Sequence, residues 1–294
     1  MNLKNLYLHV LLLLIAFLFA FPLIWTFFTS LKPPNEYYSK PPQLLPINPT
    51  LYHYHEAFFP ELIDLNYTKK QKYWVEEAAG KANPVTPSLI NSIYVTLGST
   101  LLTLILSIPA SYALSRYNFK GNKDIAFFLL STRMVPPIVM IIPFFFIFNY
   151  VNLVDTLFGL ILMSVMINAP VCIWILKGVF DGIPKEVESA ALVDGCNLYY
   201  LFTKVILPLS IGGIITASLF CIFFTWTEYI FALIMTRKEA VTLPVALSTF
   251  KLDRGLLWGM MSATIIVATI PILRTVYFLQ KKIISGILFP LFDT

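Results

Sequence analysis

The residue types that carry enzymatic chemistry are present in this chain, but not at the spacings such chemistry needs. There is no G-x-x-x-x-G-K-[ST] loop to cradle a phosphate and no H-E-x-x-H helix to hold zinc. No nucleophile stands in credible register with a base. Cys172, Cys196 and Cys221 form no C-x-x-C pair and lie in or next to apolar segments, which reads as buried free thiols. His53 and His55 stand two apart with no third ligand nearby, too few for a metal. The sequence therefore predicts a chain that is not an enzyme and has no catalytic, metal or cofactor site of its own.

The composition explains where the remaining polar residues must work. Apolar residues make up 57% and charged ones 13%, and the mean hydropathy is +0.75. A soluble domain of 294 residues cannot cover its surface from so few polar groups. Charge-free windows at 5–31, 82–115, 134–154, 156–176, 205–227 and 255–273 each approach or exceed the roughly 20 residues that cross a bilayer. They predict an all-α membrane protein with six transmembrane helices near 6–29, 90–114, 126–149, 157–178, 210–235 and 256–279. The windows are apolar on all sides, which excludes the alternation of a β-barrel. The first is too long for a cleaved signal peptide and reads as an uncleaved span. Pro136-Pro137 should kink or break the third. The expected organisation is a first helix (1–31), an extracytoplasmic loop (32–89) and a permeation core (90–294) that contains a polar stretch at 179–209.

The net charge of +5 reads as Lys and Arg in cytoplasmic loops, with no nucleic-acid role. With the N-terminus inside, basic residues tie at ten on each side; without the long loop they stand ten to four, favouring both ends inside. That loop is Pro-rich to residue 49, then shows amphipathic helical patterns in NPTLYHYHEAF and in 61–84. Its aromatics either face a partner protein or form a membrane-interface belt.

The stretch FDGIPKEVESAALVDGCNLYYLFTKVILPLS, 179–209, predicts a helix–turn–helix at the membrane surface. Pro184 suits a helix start, Glu186 and Glu188 meet its dipole, Asp194-Gly195 turns the chain, and Asn197 to Val205 forms a second helix before Leu207-Pro208. Small residues, Ser189, Ala190 and Ala191, would let another protein approach the first helix closely.

Here the chain resembles the permease subunits of ABC-type importers, whose cytoplasmic signature reads E-A-A, three residues, G, nine residues, I, one residue, L-P. Ala190-Ala191, Gly195 and Leu207-Pro208 keep that register; the signature Glu position holds Ser189, with Glu188 just before it. Further matching stretches are PPQLLPINPTLYHYHEAF, LINSIYVTLGSTLLTLILSIPASYALSRY, TRMVPPIVMIIPFF, TWTEYIFALI and TLPVALSTF, most like the maltose/trehalose type. The ending ISGILFPLFDT departs from the family's glycine-rich tail. The resemblance implies a second homologous permease subunit, two ATP-binding subunits that hold the ATP and Mg, an extracytoplasmic solute-binding protein and a sugar substrate, all assembled in the cell membrane with both termini cytoplasmic. It implies coupling through Glu188, Ser189, Ala190, Ala191, Asp194, Gly195, Leu207 and Pro208, the signature Glu serving to anchor the loop on the ATPase. A polyol or glycerol-phosphate importer is the alternative solute; a stand-alone secondary transporter would show internal repeats.

Charges at membrane depth are costly and often functional. Arg133 and Glu228 either pair with each other or line a water-filled path, with bundle-internal hydrogen bonding as the structural alternative. Asn91, Asn168, Thr225 and Trp226 are further candidates for the path. Trp226 beside Thr225 and Glu228 would give a sugar an aromatic face and polar partners; otherwise Trp226 packs the core.

Overall fold

In the computed structural model the chain is described at residues 3–59, 85–252 and 255–288. The helical stretch 61–84 expected from sequence and the last residues of the tail lie outside these. Among the described residues the regular secondary structure is helical apart from a two-residue antiparallel ladder, Lys251–Leu252 with Gly255–Leu256.

The helices, in order, are α1 (Leu3–Ser30), α2 (Tyr52–Phe58), α3 (Val85–Arg116), α4 (Asn122–Ser131), α5 (Pro137–Tyr150), α6 (Leu157–Asp181) and α7 (Lys185–Val193). They continue with α8 (Leu198–Leu209, π-wound over Leu201–Ile206), α9 (Ile211–Trp226), α10 (Ile230–Met235), α11 (Leu243–Ser248) and α12 (Trp258–Leu288). Four stretches are long and apolar enough to cross a bilayer by themselves: Tyr7–Ser30, Val85–Arg116, Leu157–Asp181 and Trp258–Gln280. Two bent pairs bring the number to six if each is one span: α4 with its 3-10 extension to Met134 meets α5 at 99°, and α8 meets α9 at 72°.

The break at residues 135–136 follows from the prolines. Pro136 has no N–H to continue the helix and pushes Val135 into extended backbone (φ −72°, ψ 126°). The expected fifth span, 210–235, differs from the structure. The helix stops at Trp226 and restarts at Ile230, because Glu228 turns its carboxylate onto the N–H groups of Phe231 (3.0 Å) and Ala232 (3.0 Å). That side chain caps a new helix instead of hanging in a continuous one.

The chain forms two units, residues 1–89 with 245–271, and 90–244 with 272–294. In the first, the segment after α1 is pinned by buried polar groups. Glu36 accepts from the N–H of Ile47 (2.9 Å) and Asn48 (3.1 Å), and Lys32 donates to the Gln43 carbonyl while lying 5.0 Å above the Trp25 ring. His53 is buried, with Nε2 2.9 Å from the Lys32 carbonyl and 2.7 Å from Tyr37 Oη. It is a packing histidine, and His55 turns to the Phe59 ring. Gly259 is required here: a Cβ would run into Tyr37 Oη and the His53 ring.

In the second unit α6, α8 and α9 share a core of Cys172, Leu176, Phe180, Leu201, Ile206, Ala217 and Cys221. The α6 members recur every fourth residue, one stripe of a helix. Lipid is as apolar as these side chains, so close packing holds them together, not escape from water. Gly213 permits it, since any Cβ would collide with Val179 of α6.

Candidate functional site

The polar stretch between α6 and α9 folds as expected. Pro184 precedes α7 and Asp194 ends it. Gly195, at φ +86°, donates to the Leu192 carbonyl (3.0 Å) and Cys196 to that of Ala191 (3.1 Å), the two-bond closure of a helix end that needs a left-handed residue. Asn197 then caps α8, its side chain accepting from Tyr200 N (2.8 Å).

Glu188 has its partners within the chain. The anchoring carboxylate that the family resemblance implies belongs at the position held by Ser189, and Glu188 stands just before it. In the structure Glu188 points into its own chain: Oε1 pairs with Arg116 Nε at 2.5 Å, and Oε2 accepts from Tyr112 Oη at 3.3 Å. The Arg116 and Glu188 side chains are 7% and 15% exposed. Arg116 also donates to the Ile183 carbonyl at 2.8 Å. The last turn of α3 therefore grips both ends of the approach to α7. Asp181 adds a second tie, accepting from Ser115 (2.6 Å) and Lys177 (2.6 Å). Arg116 and Tyr112 lie in the family-like stretch LINSIYVTLGSTLLTLILSIPASYALSRY, but only the tertiary contact gives them this role.

What α7 presents outward follows from that anchoring. Ala191 packs against the core, whereas Ser189, Ala190 and Asp194 are exposed, and Ser189 Oγ bonds back to the Lys185 carbonyl (3.1 Å). Leu192, Val193 (87% exposed), Leu198, Tyr199 (78%) and Tyr200 make an apolar face around the Gly195 turn. Leu207 and Pro208 close α8 behind it.

The intramembrane candidates separate into three groups. Asn168 and Thr225 are buried together: Asn168 Nδ2 donates to Thr225 Oγ1 (2.9 Å), which lies 3.2 Å from Ser99 Oγ. One hydrogen-bonded relay thus crosses α6, α9 and α3 at membrane depth. Asn91 serves the N-terminal part of α3, donating to the carbonyls of Glu239 (2.9 Å) and Val241 (3.0 Å), while Ser92 accepts from Leu243 N (2.7 Å). Trp226 is 8% exposed and packs inside the chain. Arg133 and Glu228 do not pair: Glu228 caps α10, and Arg133 lies over the Phe224 ring at 5.6 Å.

Asp155, which in the sequence only separates two apolar windows, has a larger part. It sits at φ +60° and accepts four successive backbone N–H groups, Arg237 to Ala240, at 2.9 to 3.2 Å. Burial works to raise its pKa, but those four donors outweigh it and hold the carboxyl below its ordinary range. This concave ring of N–H groups clamps the 236–243 loop to the turn between α5 and α6.

Residues 104–287 match the family of binding-protein-dependent transport system inner membrane components. The chain is 31% identical to the sulfoquinovosyl glycerol transport system permease protein of Agrobacterium fabrum, over 91% of this chain and 86% of that one. It is 30% identical to the diacetylchitobiose uptake system permease protein of Streptomyces coelicolor (91% and 90%) and 32% identical to the trehalose transport system permease protein of Mycobacterium tuberculosis (90% and 89%). Its fold matches that of a bacterial ABC transporter involved in the import of the acidic polysaccharide alginate, with a TM-score of 0.72 at 22% identity over 95% of both chains. The chain belongs to the binding-protein-dependent ABC transporter permease family. It is a multi-pass membrane protein whose family is one of transport permeases, working with ATPase and solute-binding components.

Proposed function

We propose that this chain is one membrane-spanning subunit of a sugar importer, paired with a second, homologous permease and driven by two ATP-binding subunits that carry the ATP and Mg. The sugar reading rests on the relatives, permeases for trehalose, diacetylchitobiose and sulfoquinovosyl glycerol. In this reading both termini and the 179–209 stretch are cytoplasmic, and the 236–243 loop faces the delivery side. This chain supplies no catalytic group or cofactor.

The observation that carries the coupling role is the exposed apolar face of α7 and α8 around Gly195, held rigidly to α3 by Arg116–Glu188. An ATPase groove that covers Leu192, Val193 and Tyr199 removes apolar surface from water. Because α7 is tied to the last turn of α3, moving the ATPase moves a span. Closure of the ATPase dimer on ATP then shifts the spans as bodies, exchanging the side on which the path is open. The Ser189 position contributes small size there, not charge.

The test is assembly. Purification of this chain should bring with it an ATPase and a second permease, and sugar-loaded binding protein should stimulate ATP hydrolysis. Uptake by this chain alone would defeat the proposal.

A further inference from the structure

Sequence alone offers Glu228 as a mate for Arg133, but that carboxylate caps α10. Arg133 keeps the Phe224 ring, 5.6 Å away, and among the described residues nothing pairs with its charge or accepts from its N–H groups. Its depth can be read along two helices. Arg133 lies about 17 Å from the start of α4 at ~1.5 Å per residue, and Phe224 about 20 Å from the start of α9. Both distances put the charge well inside a hydrocarbon layer ~30 Å thick. Snorkelling serves basic side chains near the ends of spans, whereas Arg133 stands midway along the bent pair of α4 and α5. A phenyl face balances a cation there only in part.

The surroundings narrow what can complete the balance. Arg133 is part-exposed, and every residue from Met134 to Val139 is exposed, Met134 by 81%. The described chain thus leaves this corner of the broken span uncovered. The run Met-Val-Pro-Pro-Ile-Val is too apolar to wall a water-filled path, and a guanidinium is too costly to face lipid. Both conditions are met by the apolar surface of another membrane-embedded protein that bears a carboxylate. A carboxylate matches the planar fork of Arg through two parallel N–H bonds, and Met and Arg are residue types that protein interfaces gather.

Resting on the two-permease reading above, we propose that this corner docks on the second permease and that Arg133 forms an intramembrane ion pair with an Asp or Glu of that subunit. The run 134–139 packs around the pair and keeps lipid and water from it.

The test uses the whole transporter, purified through a tag on this chain. p-Benzoylphenylalanine in place of Met134, an exposed position, is illuminated and its product mapped by mass spectrometry. The product should be this chain joined to the second permease, in a membrane segment that holds an Asp or Glu. Arg133→Gln should speed dissociation of the second permease in detergent by about tenfold or more, since unpairing a buried interfacial charge acts on the off-rate. Arg133→Lys should recover part of this. Arg133→Glu should dissociate faster still, and changing the mapped acid to Arg in the same complex should restore the slow rate, which a merely misfolded variant would not allow. Crosslinking to lipid alone, a mapped segment without an acid, or a charge swap that restores nothing would overturn the pair while the two-permease reading stands. So would an effect of Arg133→Gln seen only with anionic phospholipid, or only with transported solute, present. If no second permease is recovered with the unaltered chain, or the crosslink joins two copies of this chain, the two-permease reading falls and the proposal with it.

Discussion

Glu188→Gln separates two roles for one carboxylate. The substitution keeps the shape and removes the charge, leaving Arg116 buried beside a neutral amide. Removing one partner of a fully buried ion pair costs about 3–5 kcal/mol. Here the Glu188 and Arg116 side chains keep 15% and 7% of their exposure, and Arg116 retains the Ile183 carbonyl. We therefore expect about 2–3 kcal/mol, at or below the low end of that range. At roughly 2 °C per kcal/mol for a chain of this size, melting of the purified permease should fall by about 4–6 °C. The double variant Arg116→Met, Glu188→Leu should recover most of the loss, since apolar groups of similar volume replace a buried pair at little cost. The assay is thermal unfolding of the permease without its ATPase, followed by ATPase co-purification. An unchanged melting temperature with weakened ATPase binding would refute the intramolecular anchor and return Glu188 to the partner interface.

Three further outcomes follow from the same geometry. A methyl added at Gly195 would have nothing within 4 Å, so the cost of substitution there is conformational: Gly195→Val should cost about 1–2 kcal/mol and loosen ATPase docking, while Gly195→Asn, tolerant of positive φ, should come close to normal in sugar-stimulated ATP hydrolysis. Asp155 has a depressed pKa, so its contribution is fully present above the ordinary Asp value of about 4 and is lost as pH falls through its lower folded value; melting followed down in pH should show that acid limb flattened in Asp155→Ala, and an unaltered limb would dismiss the clamp. Gly259→Ala should cost about 1–3 kcal/mol through overpacking, because the new methyl meets Tyr37 and His53; hydrogen exchange should then rise around residues 32–59.

Residues and their neighbours in sequence settled much of the molecule. Long uncharged windows must be helical in lipid, since no water is there to satisfy an open backbone. The six windows find their counterparts in α1, α3, α6 and α12 and in the two bent pairs. The break at Pro136-Pro137 and the turn at Asp194-Gly195 are equally local, fixed by a missing N–H and by a left-handed φ. Even the register of 179–209 could be read, because helix start, turn and cap depend on residues a few positions apart.

Partners were a different matter. Whether Glu188 faces an ATPase or Arg116, 72 positions away, depends on where the end of α3 lies. Asp155 acquires its meaning from N–H groups 82 to 85 positions on. Glu228 reads as an intramembrane charge until it is seen capping the helix it starts, and a pair with Arg133 stays one of three readings until Arg133 is seen over the Phe224 ring. Apolar pattern specifies that a segment lies in the membrane, because transfer into lipid sums over residues whatever their order. A polar side chain instead takes whichever partner the packed helices bring within about 3 Å, and only the tertiary structure decides which one that is.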